Sequence, residues 1–188
     1  LVMLSAAYTI GLEWKRNTQL VLYRISGNSP LTALMGKLLP QTLVFWLIYI
    51  LYAVYFYRYL QYPCNSGIMA MTGVGMLTVL GAQGFAAFLF GVCGQMRLSM
   101  CLCSLWGILS FSLAGFTYPV TAMDPILQKL SVLFPLRHYY LLYVNQALNG
   151  YSIAYAWHSV LALAIFALLP LLTLHHYRSL FTKVKYIP

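Results

Sequence analysis

The chain has 188 residues, of which 62% are hydrophobic and 7% charged, whereas a soluble domain carries about 25% charged residues. Such a chain cannot cover itself with a water-compatible surface, so a soluble globular domain is excluded and lipid is the expected solvent. The net charge of +9 comes from eleven Lys and Arg against only Glu13 and Asp124; because the cations sit between long apolar runs, they read as loops of a membrane protein and not as a nucleic-acid surface.

The sequence begins at Leu1 inside an apolar stretch, with no initiator Met and no signal-peptide pattern. It reads as a piece cut within a transmembrane helix, and residues 1–12 as the last part of that helix. Residues 13–37 hold Lys15, Arg16, Arg24 and Lys37 around Gly27, Asn28, Ser29 and Pro30. Two short amphipathic helices about a turn are expected there, the first over residues 13–25 and the second starting at the Ser29-Pro30 pair.

Residues 38–57 carry no charge and form a predicted span, since twenty helical residues cover about 30 Å, the thickness of a hydrocarbon core. Its far end is rich in tyrosine (Tyr49, Tyr52, Tyr55, Tyr57, Tyr59 and Tyr62), as expected of an aromatic belt at one interface. Residues 68–94 form a second predicted span rich in small residues, with Gly81, Gly84 and Gly91 on one broad stripe, suited to close helix packing in lipid. Gln83, polar in mid-membrane, is expected either to make an interhelical hydrogen bond or to line a path. After a short loop containing Arg97, residues 100–119 form a third span. Residues 120–150 are too polar for a span and too apolar for a free loop, so one or two short helices lying in or dipping into the interface are expected. Residues 151–174 form the last span, followed by a basic tail.

Lys15, Arg16, Arg24, Lys37, Arg97, Arg178, Lys183 and Lys185 fall on one side of this arrangement, and Arg58, Lys129 and Arg137 on the other. The majority side is expected to be cytoplasmic, with the C-terminus on it and the tyrosines outside. The fold class is therefore all-α and polytopic: about four complete transmembrane helices plus the end of one more, in a single domain over residues 1–188. Catalysis needs positioned acids, bases or nucleophiles, and the two carboxylates fall on opposite sides. Cys101 and Cys103 are two apart and do not share a helix face, and the further His or Cys that a metal site needs are missing nearby. There is no phosphate-cradling Gly-Lys-Ser/Thr loop. Ionisable groups that would couple transport to an ion are absent from the predicted spans except for His158 near one end, so a separate ATPase is the economical energy source.

The order of parts resembles the type-2 ABC transporter permeases, the membrane subunits of ATP-binding-cassette exporters. Glu13-Trp14-Lys15-Arg16-Asn17-Thr18 resembles the family's charged run after its second span, with Asn17 where Gly is usual. Gly36-Lys37-Leu38-Leu39-Pro40 resembles the Gly-Lys start of its third span. Ala114-Gly115-Phe116-Thr117-Tyr118-Pro119 followed by Met123-Asp124-Pro125 resembles its Ser-Gly-Phe-x-x-Pro and Met-Pro pair. Phe134-Pro135-Leu136-Arg137-His138-Tyr139-Tyr140, with Asn149-Gly150 after it, resembles its Phe-Pro-x-x-Tyr segment.

The resemblance implies a six-span permease, of which this chain lacks the first span and a large external domain, in a bacterial inner membrane. It implies an amphipathic cytoplasmic coupling helix that contacts the ATPase through Glu13, Lys15, Arg16, Asn17, Thr18, Leu20 and Arg24. It further implies an external re-entrant segment containing Pro119, Asp124, Pro125, Pro135, Arg137 and Tyr139. The expected partners are an ABC ATPase subunit, a second permease copy or paralogue, and membrane lipid, with no nucleic acid. ATP and Mg belong to the ATPase, and no cofactor is expected in this chain. The rival expectations are an ion-coupled or passive transporter fragment and a membrane-embedded enzyme or scaffold.

Overall fold

The structure, a computed structural model, describes residues 1–116 and 118–183. Thr117 and Lys185, invoked above, lie outside the described residues, as does the side chain of Lys183. The described residues form helices and turns without a strand. Four helical stretches are long and apolar enough to cross a membrane: Pro30–Tyr59, Ile68–Cys93, Met96–Leu113 and Ile153–Phe181. The chain is thus an all-α polytopic membrane protein.

Helix α1 (Val2–Lys15) leads into α2 (Gln19–Ile25), and α3 (Pro30–Val54) forms the first span, prolonged by a widened turn over Tyr55–Tyr59. The continuous helix expected over residues 13–25 is therefore corrected to two. Asn17 adopts a left-handed φ of 56°, which a short polar side chain tolerates better than a bulky one. The Thr18 amide bonds the Glu13 carbonyl at 3.0 Å, closing α1 as a left-handed C-terminal turn does. The second expected short helix is corrected too, because it runs on without a break into the span. Pro30 occupies its first turn, where a missing N–H costs nothing.

Helix α4 (Ile68–Cys93) is the central rod. Ala86 packs with Ala6 and Ala7 of α1 and with Cys103 of α5 (Met96–Leu113). Gly94, with φ 65°, closes α4, so Arg97 stands in the first turn of α5 and not in a loop, and the third span starts and ends a few residues earlier than expected. Next come α6 (Pro125–Ser131) and α7 (Pro135–Tyr143), the latter extended by a widened turn over Val144–Leu148. The last span is not one rod: α8 (Trp157–Leu168) gives way to α9 (Pro170–Lys183). Pro170 has no N–H to offer the Phe166 carbonyl one turn back, and its ring crowds that carbonyl, so the helix breaks there.

The glycine stripe of α4 faces these two rods. A Cβ on Gly81 would lie 3.2 Å from the Leu163 carbonyl, one on Gly84 2.4 Å from the Phe166 carbonyl, and one on Gly91 2.6 Å from the Thr173 hydroxyl. Gln83, on another face of α4, is buried and accepts a 2.6 Å hydrogen bond from Thr42 of α3. Its amide nitrogen finds no partner among the described residues. Thr42, Gln83 and Gly84 border a cavity of about 270 Å³ beside the Pro170 break.

Candidate functional site

The sequence-predicted coupling residues come together at the elbow between α1 and α2. Glu13 lies in the last turn of α1, and its carboxylate takes the Thr18 hydroxyl on one oxygen and pairs with the Lys37 ammonium on the other. Both ion-pair partners are largely covered, with 16% of the Glu13 side chain and 22% of the Lys37 side chain exposed. Burial alone would raise the Glu13 pKa, but the bonds from Lys37 and Thr18 and the charges of Lys37 and Arg16 outweigh it. The carboxyl is held below its usual value and stays ionised. This clasp joins the end of α1 to the beginning of α3 and spans the base of the elbow. Lys15, Arg16 and Asn17 project into the exposed surface around it.

Helix α2 has two dissimilar sides. Gln19 and Tyr23, one turn apart, are buried, and the Tyr23 ring stacks on Phe181 of α9 with centroids 5.4 Å apart. Trp14 packs at 4.9 Å from Phe181 and 5.1 Å from Phe90 of α4, and Phe90 stacks on Tyr177. The Tyr177 hydroxyl, fully buried, donates to the Ala87 carbonyl at 2.6 Å. Five aromatic rings therefore fix α2 to the ends of α1, α4 and α9 as one block. Aromatic pairs at such spacings contribute about 0.5–1.5 kcal/mol each beyond their buried area. The opposite side of α2 carries Leu20, Val21, Arg24 and Ile25, all exposed, Ile25 to 80%.

At the other end of the bundle, the short helices α6 and α7 follow one another across residues 132–134. The Asp124 carboxylate caps α6 by accepting the Ile126 N–H at 2.9 Å, and Pro125 and Pro135 occupy first helical turns. Pro119 precedes a short tight turn over Val120–Ala122. Arg137 donates to the Gln128 carbonyl and the His138 ring contacts the Val132 carbonyl, each at 2.9 Å, so α7 is laced to α6 through backbone acceptors. Burial pushes the His138 imidazole below its usual pKa, and the nearby Arg137 charge acts in the same direction. Phe134 packs on Trp106 of α5 at 4.9 Å, and Leu142 is buried with Val74 and Leu163. Tyr139 meets Tyr49 of α3, hydroxyl to hydroxyl, at 3.4 Å.

Neither end assembles a nucleophile with a base, and among the described residues no three His, Cys, Asp or Glu side chains converge. What the elbow offers is mechanical: an exposed helix face joined through its other side to the ends of α1, α4 and α9. The chain matches the family model of the ABC-2 family transporter protein over residues 1–174. The chain belongs to this family. No curated protein and no solved structure matches it. It is therefore a multi-pass membrane subunit of an ABC transporter, a permease and not a catalytic enzyme, and the family implies partnership with an ATP-binding subunit.

Several features of the permease escape sequence reasoning. Lys37 is set apart from Glu13 by 24 positions, and nothing in the local pattern of either announces the pair. The spacing of Gln19 and Tyr23 could have marked the inner side of α2. Pro170, inside an apolar run, was a signal for the broken last span.

Proposed function

We propose that this permease is the membrane-spanning half of an ATP-driven exporter in a bacterial inner membrane, and that α2 is the element on which its ATPase acts. The observation that carries the reading is the two-sided character of α2. Its exposed side, Leu20, Val21, Arg24 and Ile25, combines apolar surface with one cation, and its inner side packs through Tyr23 on α9 within the aromatic block shared by α1 and α4. Lys15 and Arg16 extend the basic surface around the elbow. A rigid helix docked differently in two ATPase states supplies the differential contact that biases a conformational equilibrium.

In this reading the Glu13 end and the C-terminus are cytoplasmic, in keeping with the charge distribution. The segment of α6 and α7 is external and re-entrant. A second permease copy or paralogue completes the path, cargo moves by alternating access, and ATP and Mg reside on the ATPase subunit.

The test reverses the charge of Lys15 and Arg16 together (K15E/R16E) in the full-length permease reconstituted with its ATPase. ATP hydrolysis is expected to persist while cargo export falls about tenfold or more. Export at the unaltered rate per ATP hydrolysed would overturn the assignment of α2.

A further inference from the structure

We propose that the tyrosine-rich end of the bundle holds a binding site for a methylated ammonium group, in the form of a small quaternary ammonium ion or the headgroup of a choline lipid. A cavity of about 310 Å³ opens between the end of α3 and α7, at the small end of the range for ligand pockets. Its walls are rings: Tyr49, Tyr52, Phe56 and Tyr57 from α3 and its widened turn, and Tyr139 and Tyr143 from α7. The Tyr49 and Tyr139 rings stand at 83° to each other with centroids 6.5 Å apart, so two walls meet at a corner. Tyr139 and Tyr143, one turn apart on α7, continue one of those walls.

The backbone builds this corner deliberately. Both helices that reach it end in a widened turn, closed by Leu60 N–H to Tyr55 O and by Asn149 N–H to Val144 O, each at 3.1 Å, and such turns reorient side chains at the end of a rod. The loop that follows the first turn is tied to the second by Asn65, whose backbone N–H bonds Ala147 O at 3.1 Å and whose side-chain amide bonds Leu148 O at 2.7 Å. Tyr49, Phe56, Tyr57, Tyr139 and Tyr143 are half-buried, and so are not free rings at a lipid interface.

The lining selects the ligand. Among the described residues no Lys, Arg, Asp, Glu, Asn or Gln side chain borders the cavity, and the exposed Arg58, on the same turn as Tyr57, lies outside it. The polar groups on its walls are phenol hydroxyls, and those of Tyr49 and Tyr139 already meet each other. A quaternary ammonium centre has no hydrogen-bonding group to satisfy, and it is attracted to ring faces within about 6 Å through their quadrupoles. Phenol oxygens add acceptor dipoles around the same space.

The test uses the full chain in nanodiscs of phosphatidylglycerol and needs no ATPase, so its outcome is independent of the coupling role given to α2. Choline is titrated against 3,3-dimethyl-1-butanol, its neutral carbon isostere, by saturation-transfer NMR. Choline is expected to bind about tenfold more tightly, and Y57L and Y143L each to weaken it several-fold while Y57F and Y143F retain it, since Phe keeps the ring face. If one Leu variant fails to elute as a folded protein, the other carries the comparison. Added phosphatidylcholine that displaces free choline identifies the lipid headgroup as the source, and choline binding unchanged by it identifies the free ion. Equal binding of the neutral isostere, or Leu variants that bind choline like the parent, would overturn the site.

Discussion

The closest backbone approach against the central rod is at Gly84, and replacing that residue by alanine isolates its energetic weight. The added methyl carbon would sit 2.4 Å from the Phe166 carbonyl oxygen and 2.7 Å from the Ala167 Cα. Both obstacles are backbone, so no rotamer change relieves the clash and the rods must separate by about 1 Å, enough to forfeit a quarter to a half of each facing dispersion contact. Overpacking of this kind costs about 1–3 kcal/mol, and the better helix propensity of Ala returns up to about 1 kcal/mol. A net loss of about 1–2 kcal/mol is expected, or a fall of roughly 2–8 °C in the unfolding midpoint of a chain this size. Gly73 is the internal control: it lies in the same helix with nothing within 4 Å of its virtual Cβ, so Gly73→Ala is expected to be neutral or to stabilise. Midpoints read by fluorescence-detected size exclusion after heating in one detergent compare the two directly. If Gly84→Ala melts at or above the parent, or no lower than Gly73→Ala, the seam is not held by backbone contact.

Three further outcomes are expected. Glu13→Gln keeps the shape but removes the charge facing Lys37; it should lower stability by about 1–2 kcal/mol, since hydrogen bonds to charged groups contribute about that much. The Glu13 carboxyl is held below its usual pKa, so its contribution is complete above the ordinary carboxylate range and is lost as pH falls through the lower folded value. The parent should therefore lose thermal stability at acid pH more steeply than the variant, and parallel pH curves would refute the clasp. Thr42→Val removes the donor to the buried Gln83 and should cost about 0.5–2 kcal/mol, as for other interhelical hydrogen bonds in lipid; an unchanged midpoint would show the bond to be idle. Tyr177→Phe deletes only the hydroxyl on the Ala87 carbonyl and should cost about 1 kcal/mol, measured in the same melting assay against Tyr23→Phe.

The spans were legible because a bilayer imposes a minimum length on uncharged helix, and residues 38–57 and 68–94 meet it without help from neighbours. The glycines at 81, 84 and 91 could be placed on one side of a helix from spacing alone, although what they face could not. The elbow was legible in its residues and not in its shape. The run from Glu13 to Thr18 has no glycine or proline to signal a break, and the left-handed turn at Asn17 is held by contacts with Thr18 and, through Glu13, with Lys37. Such a turn depends on tertiary partners that one-dimensional pattern does not record. The limits of α3 were missed for a related reason: the charge of Lys37 marks the expected end of a separate short helix, yet Glu13 of α1 pairs with that charge and the helix runs straight through it. The tyrosines expected as a belt at one interface include Tyr52, Tyr55, Tyr59 and Tyr62, which are exposed, but sequence could not show that α7 brings Tyr139 and Tyr143 beside Tyr49 and Tyr57.

The break at Pro170 divides the labour of the final span. Its upper rod is seated against α7, with Leu163 beside Leu142, and its lower rod carries Tyr177 and Phe181 into the aromatic block that holds α2. If α2 takes the load of an ATPase as proposed, that load passes first to the lower rod, which Gly91 and the aromatic block seat closely on α4. The proline then stands as the seam between the half of the last span that answers to the elbow and the half that supports the tyrosine-lined cavity.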